Sequence, residues 1–192
     1  MEQNDAFLHL IEECFLEKRK SQRALYEKFY GYGMSISLRY SNNRRDATEI
    51  LNDSFLKVFT NLKRYDKSLP FKAWLRRIII NTSIDHFRKN ERSVHQLTND
   101  VAFVDTGTDI PVDHSIDVLP LLQKISPQYR IVFNLYVMEE YKHNEISEML
   151  SISEGTSRSN LLRAKAKLKE LIIKQYEENK TTATYGRFLQ KY

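Results

Sequence analysis

Ser159, Leu162 and Arg163 share one face of a predicted helix, with Arg158 on its edge. These residue types can read DNA. A guanidinium matches the paired acceptors of guanine, a hydroxyl suits several base edges, and an apolar group can lie against the thymine methyl. Lys165, Lys167 and Lys169 follow where phosphates would run. Gly155 and Thr156 open the helix and leave backbone N–H groups for a phosphate. Ser157, Leu161, Ala164 and Leu168 form the inward stripe at spacings of four, three and four. Ser157 is a hydroxyl on that stripe, so it must bond a nearby backbone carbonyl or sit at the rim.

Such a helix needs something to hold it at an angle. The preceding segment places Ile146, Met149 and Leu150 on one side, and "SIS" (151–153) makes a turn around a buried Ile152. Ser153 is the expected cap of the second helix. A basic face alone describes any solvated amphipathic helix. Two helices joined by a three-residue turn describe a helix-turn-helix DNA reader. Upstream, "SPQYRIVFNLYVMEE" opens with Ser126 as N-cap and Pro127 at the first helical position, with Tyr129, Val132, Phe133 and Tyr136 on one face.

A second basic region lies far from the first. From Lys57 to Arg92 there are ten Lys or Arg and three Asp or Glu. In "FKAWLRRIIINTSIDHFRKN", Phe71, Trp74, Leu75 and Ile78 form one apolar stripe, and Ala73, Ile80, Ile84 and Phe87 a second. Lys72, Arg76 and Ser83 run along one polar edge; Arg77, Asn81 and Arg88 run along the other. A helix buried on two sides that exposes Arg, Asn and Arg in a row suits a nucleic-acid track. It equally suits a central helix whose arginines pair with local acids such as Asp85. The loop before it, Lys63, Arg64, Tyr65, Asp66, Lys67 and Ser68, joins basic groups to an aromatic ahead of Pro70. It can hold an unstacked base, or be a plain turn. The helix before that carries Asp46, Glu49, Asn52 and Asp53. An acidic patch beside a DNA track repels phosphate, so it is a protein-docking face or simply solvated.

Composition sets the frame. Only 5 Gly and 4 Pro in 192 residues favour an all-α fold. A net charge of +5 is compatible with a nucleic-acid partner. The single Cys14 excludes a disulfide framework or an intrachain CxxC knuckle. No run approaches the roughly 18 apolar residues of a membrane helix, and the acidic start carries no secretion signal. We expect a cytoplasmic protein with no membrane insertion. Apolar periodicity predicts four N-terminal helices, over Phe7–Phe15, Leu25–Leu38, Ala47–Leu62 and Phe71–Phe87, with Ser21 and Asp46 placed to cap the second and third. Between Arg92 and Lys124 there is no Lys or Arg, while Asp100, Asp105, Asp109, Asp113 and Asp117 recur. The organisation expected is therefore a four-helix domain over 1–92, an acidic flexible linker over 93–117 and a four-helix helix-turn-helix domain over 118–175. A tail over 176–192 is left unassigned.

Other classes fit less well. A homodimeric helix-turn-helix regulator needs a dimerising domain or effector pocket where this chain is basic and tracked for DNA. An enzyme needs convergent acids, bases or ligands. The five histidines are scattered without metal-ligand spacing, and "GYG" at Gly31–Gly33 sits in a helical pattern, a weak nucleotide signal. No cofactor, metal or catalytic residue is expected.

Two stretches carry a family resemblance: "FKAWLRRIIINTSIDHFR" and "ISEMLSISEGTSRSNLLRAKAKL", in this order and at this separation. The chain resembles a bacterial extracytoplasmic-function sigma factor with only the domains called region two and region four, over about Phe7–Phe87 and Val118–Ile173. The second stretch alone would fit a response-regulator output domain; the first would not. The resemblance implies binding to core RNA polymerase and promoter-specific initiation. It puts Asp46, Glu49, Asn52 and Asp53 against the clamp coiled coil of the largest subunit. It gives Arg77, Asn81, Arg88 and the Lys63–Ser68 loop to melting the downstream element, and Arg158, Ser159, Leu162 and Arg163 to reading the upstream one. It implies a linker running through the polymerase's nucleic-acid channels, where five aspartates would mimic nucleic-acid charge, and an anti-sigma partner. Ser157 stands where the family carries an aliphatic residue, and Asn160 where many members are basic.

Overall fold

The structure, a computed structural model, describes residues 2–93 and 118–189, with the side chains of 5–90 and 118–177. The linker expected over 93–117 lies almost entirely outside the described residues. The chain divides into two compact units, Met1–His95 and Gln96–Tyr192.

The first unit is built from α1 (Glu2–Phe15), α2 (Arg19–Tyr40), α3 (Arg44–Asn61) and α4 (Phe71–Ser93), with a single 3-10 turn at Leu62–Arg64 after α3. Leu25 and Ile36 of α2, Leu51 and Val58 of α3, and Leu75 and Ile79 of α4 are fully buried. Each such side chain contributes about 1.5–3 kcal/mol by leaving water. Phe7, Phe29 and Phe71 meet edge to face or tilted, with ring centroids 4.9–5.9 Å apart. The glycines of "GYG" lie within α2 and differ in their surroundings. A Cβ on Gly33 would stand 2.5 Å from Leu51 Cδ1 and 3.3 Å from Ile79 Cδ1, whereas one on Gly31 would meet nothing. At Gly33, α2 lies against side chains of α3 and α4 with no room for a Cβ.

Both N-caps expected here fall elsewhere. α3 starts earlier, and Asn43 caps it by accepting the Asp46 N–H at 2.9 Å; the Asn43 amide in turn donates to Asp46 Oδ2 at 3.1 Å. Ser21 lies inside α2, is buried, and donates to Glu13 of α1 at 2.7 Å. The two-stripe reading of α4 is also corrected. Its buried residues form one broad face of Phe71, Leu75, Ile79, Ile80, Thr82, Ser83 and Ile84, while Ala73 is exposed. Ser83 can leave the polar edge because its hydroxyl donates to Ile79 O at 2.8 Å, so burial strands no polar group.

The second unit comprises α5 (Val118–Lys124), α6 (Pro127–Phe133), α7 (His143–Leu150) and α8 (Glu154–Leu189). Ser126 caps α6 and Pro127 opens it, as the sequence predicts. A π-helical turn over Asn134–Met138 follows. The wider turn shifts the phase of the inward face, so Leu135 is buried and Tyr136, expected on the apolar face, is 38% exposed. Leu121, Leu122 and Ile125 pack on Ala164 and Leu168 of α8. α8 continues through the expected tail as far as Leu189.

Candidate nucleic-acid interface

The helix-turn-helix is α7, a turn and α8. Ser151 takes the left-handed conformation (φ 55°) that ends α7. Ser153 caps α8 by accepting the Thr156 N–H at 3.0 Å. That engages one of the two amides expected to await a phosphate; Gly155 and Thr156 are both exposed. Ser157, Leu161, Ala164 and Leu168 are all buried, as their spacing predicts, and Ile152 is half-buried. Ser157 finds neither a carbonyl nor the rim. It is fully buried and pairs with His143 Nδ1 of α7 at 2.9 Å. The His143 ring stacks on Tyr136 with centroids 4.5 Å apart. Burial first, then the charge of Arg158, holds the imidazole below its ordinary pKa. The two helices are therefore joined across their crossing by a polar pair. Sequence reading missed it because the residue that answers Ser157 lies 14 positions upstream.

The outer side of α8 carries the expected readers. Arg158 and Leu162 are exposed, while Ser159 and Arg163 are half-buried. Arg158 pairs with Glu154 at 3.1 Å, the Ser159 hydroxyl donates to Thr156 O, and Lys167 pairs with Glu170 at 2.7 Å. Asn160 is buried, so it does not stand with the readers.

In the first unit, Arg77 and Asn81 are exposed one turn apart on α4, and Arg88 is half-buried further along. Asp85, the acid that would have served those arginines, pairs with Lys57 of α3 at 2.7 Å. The loop ahead of α4 is shaped by its own residues. Asp66 Oδ1 accepts the Ser68 N–H at 2.9 Å, which lowers the Asp66 pKa. The Tyr65 hydroxyl donates to Leu69 O at 2.7 Å, and its ring packs against Trp74 and Phe71 at 5.2 and 5.3 Å. Burial raises the pKa of that phenol. Tyr65 is thus an anchor of the loop. Lys63 lies over the Phe15 ring at 5.2 Å, and Lys67 pairs with Glu12 of α1 at 2.8 Å, with Arg64 exposed between them.

On α3, Glu49, Asn52, Asp53 and Leu56 are exposed at spacings of three and four, which makes one face. Leu56 is 64% exposed, an apolar centre that charge-based reading overlooked. Asp46 is half-buried and tied to the cap of α3. Asn52 and Asp53 each meet a neighbouring helix: Tyr26 Oη donates to Asn52 Oδ1 at 2.9 Å, and His86 Nε2 lies 2.8 Å from Asp53 Oδ2. No described helix is long and apolar enough to cross a membrane.

The Sigma-70 region 2 family model matches residues 25–93, and the Sigma-70, region 4 model matches residues 116–168. The chain is 25% identical over 153 residues to the ECF RNA polymerase sigma factor SigM of Bacillus subtilis (strain 168), covering 77% of this chain and 92% of that protein. It is 23% identical over 172 residues to the RNA polymerase sigma factor YlaC of the same strain, covering 86% of this chain and 99% of that protein. A solved structure of the sigma factor RpoE in complex with the anti-sigma factor NepR, from Bartonella quintana, aligns at 19% identity with a TM-score of 0.45, covering 78% of this chain and 95% of that one. With both family regions present in order, one holding the α4 track and the other the helix-turn-helix, the chain belongs to the extracytoplasmic-function sigma factors of the sigma-70 family.

Proposed function

We propose that the chain docks on core RNA polymerase through the exposed face of α3, reads an upstream promoter element with α8, and helps melt DNA with α4 and the loop before it. The observation that carries this reading is that each unit exposes a basic, polar helix face backed by a closed apolar core: Arg77 and Asn81 on α4, and Arg158, Ser159, Leu162 and Arg163 on α8. Flipping a base out of the stack costs a few kcal/mol, so a melting surface must offer the single strand a prepared site. The loop of Lys63, Arg64, Tyr65, Asp66, Lys67 and Ser68 has the needed rigidity, because Tyr65 and Asp66 fix its shape from within. Arg64 is then placed for phosphate, and Lys63 and Lys67 can exchange their present contacts for it. Arg88 supports the far end of the track. An anti-sigma partner follows from family membership alone, and no residue is assigned to it.

The test is bacterial core polymerase reconstituted with this chain carrying Asn81→Ala. The variant should bind core and recognise the upstream element normally but fail to open duplex promoter, read by permanganate reactivity of thymines. Transcription should return on a template already mismatched across the start region. Normal opening of the duplex, or no rescue by the mismatched template, refutes the melting role.

A further inference from the structure

We infer that Tyr26 of α2 and His86 of α4 are positioning residues for polymerase docking, each holding one polar group of the α3 face in the orientation that meets the partner. The inference rests on the docking role proposed for that face. Both residues come from neighbouring helices, 26 and 33 positions away from the groups they hold. Their contacts run in the same sense, each taking one atom of an α3 side chain inward. Tyr26 Oη donates to Asn52 Oδ1 at 2.9 Å, which leaves the amide NH2 of Asn52 turned to solvent as a donor. His86 Nε2 holds Asp53 Oδ2 at 2.8 Å, while the Asp53 side chain stays 51% exposed and the imidazole only 18%.

Tyr26 is itself held in place. The Tyr26 ring packs on Phe55 of α3 and on Tyr30, with centroids 4.7 and 5.6 Å away. The result is an outward donor beside an outward carboxylate, with exposed Leu56 on the same face. The surface it fits offers an acceptor opposite Asn52, a cation opposite Asp53 and an apolar contact for Leu56. Groups already held in one rotamer lose less freedom on binding than groups ordered by the partner. Neither Tyr26 nor His86 need touch the polymerase to matter.

The experiment measures full-chain affinity for core RNA polymerase in double-mutant cycles. Tyr26→Phe keeps the ring and removes only the hydroxyl; His86→Leu removes the ring nitrogens, and His86→Gln restores a donor. Tyr26→Phe and His86→Leu should each weaken core binding about threefold to tenfold, with His86→Gln recovering part of the loss. In an Asn52→Ala background Tyr26→Phe should have no further effect, and in an Asp53→Ala background His86→Leu should have none. Trp74 fluorescence during unfolding monitors the fold of this unit. If His86→Leu fails to fold, the Tyr26 cycle decides. Equal weakening by Tyr26→Phe with and without Asn52 overturns the inference, as does full affinity of Tyr26→Phe when Asn52→Ala is weak. If Asn52→Ala and Asp53→Ala both bind core normally, the docking role itself fails and takes the inference with it.

Discussion

Ser157→Ala tests how the helix-turn-helix is held. Ser157 is fully buried, and His143, which meets it, is buried at 9% exposure. Removing one member of a buried hydrogen-bonded pair strands the other, at about 1–3 kcal/mol. The opening of α7 against α8 should therefore become roughly fivefold to 150-fold more frequent. The added change His143→Leu should return much of that loss, because replacing both partners by apolar groups leaves no stranded donor or acceptor. The pair also sets a pH dependence. The fold favours the neutral form of His143, because burial first and then the charge of Arg158 lower its pKa. Lys165 lowers it further, and Glu154 opposes them. Below its ordinary value of about 6.5 the unfolded chain binds the proton more readily than the folded one, so stability falls as pH drops through that value and is level above it. Trp74, the sole tryptophan, lies in the first unit and is blind to this event. Hydrogen exchange of α7 and α8 amides in the full chain is the suitable measurement, corrected for intrinsic rates, with α2 and α4 amides as internal reference. Protection within about 0.5 kcal/mol of the parent in Ser157→Ala, or equal pH dependence in His143→Leu, would refute the reasoning.

The two glycines of α2 should respond with opposite signs. Gly31→Ala gains about 1 kcal/mol of helix propensity in open space, whereas Gly33→Ala sets that gain against about 1–3 kcal/mol of crowding on Leu51 and Ile79; denaturant unfolding followed by Trp74 fluorescence reads both. On α8, Arg163→Ala should relax discrimination at one upstream base pair by about 1–3 kcal/mol. Lys167→Ala should weaken all sequences alike and lower the salt slope by about one. Identical profiles for the two across a promoter library would show that the roles assigned along α8 are wrong.

The order of the helices was legible because apolar residues recur at helical spacing, but the buried face of α4 was not, because Thr82 and Ser83 join it with hydroxyls satisfied by its own backbone. The inward stripe of α8 and the cap and proline of α6 follow from spacing and a single residue type. Caps were less legible where several candidates stood close together: Asn43 and Asp46 are equally good capping residues, and periodicity does not say which backbone turn comes first. The candidate residues were legible as types along a helix and illegible as a set of partners. Tyr65 reads as a stacking aromatic in a basic loop, yet its hydroxyl and both ring contacts belong to the fold. Ser157 reads as a defect in an apolar stripe until His143 is brought against it. The π-helical turn after α6 inverts the exposure of Tyr136 and Leu135, and no local residue type announces it.

Polar pairs in this chain divide by burial, and the division matches what each surface must do. The pair of His143 and Ser157 is shut away from water, so it cannot be exchanged for another partner without opening the fold, and it fixes a geometry. Arg158 with Glu154 and Lys167 with Glu170 lie in solvent within one turn of α8. Such pairs are screened and weak, so a phosphate can replace the carboxylate with little loss. In the free protein they hold down the repulsion among clustered cations; if α8 meets DNA as proposed, the same cations change partner. Asp53 stands between these cases. Its partner His86 is mostly buried while the carboxylate is half in water, an arrangement that keeps the charge available and its direction constant.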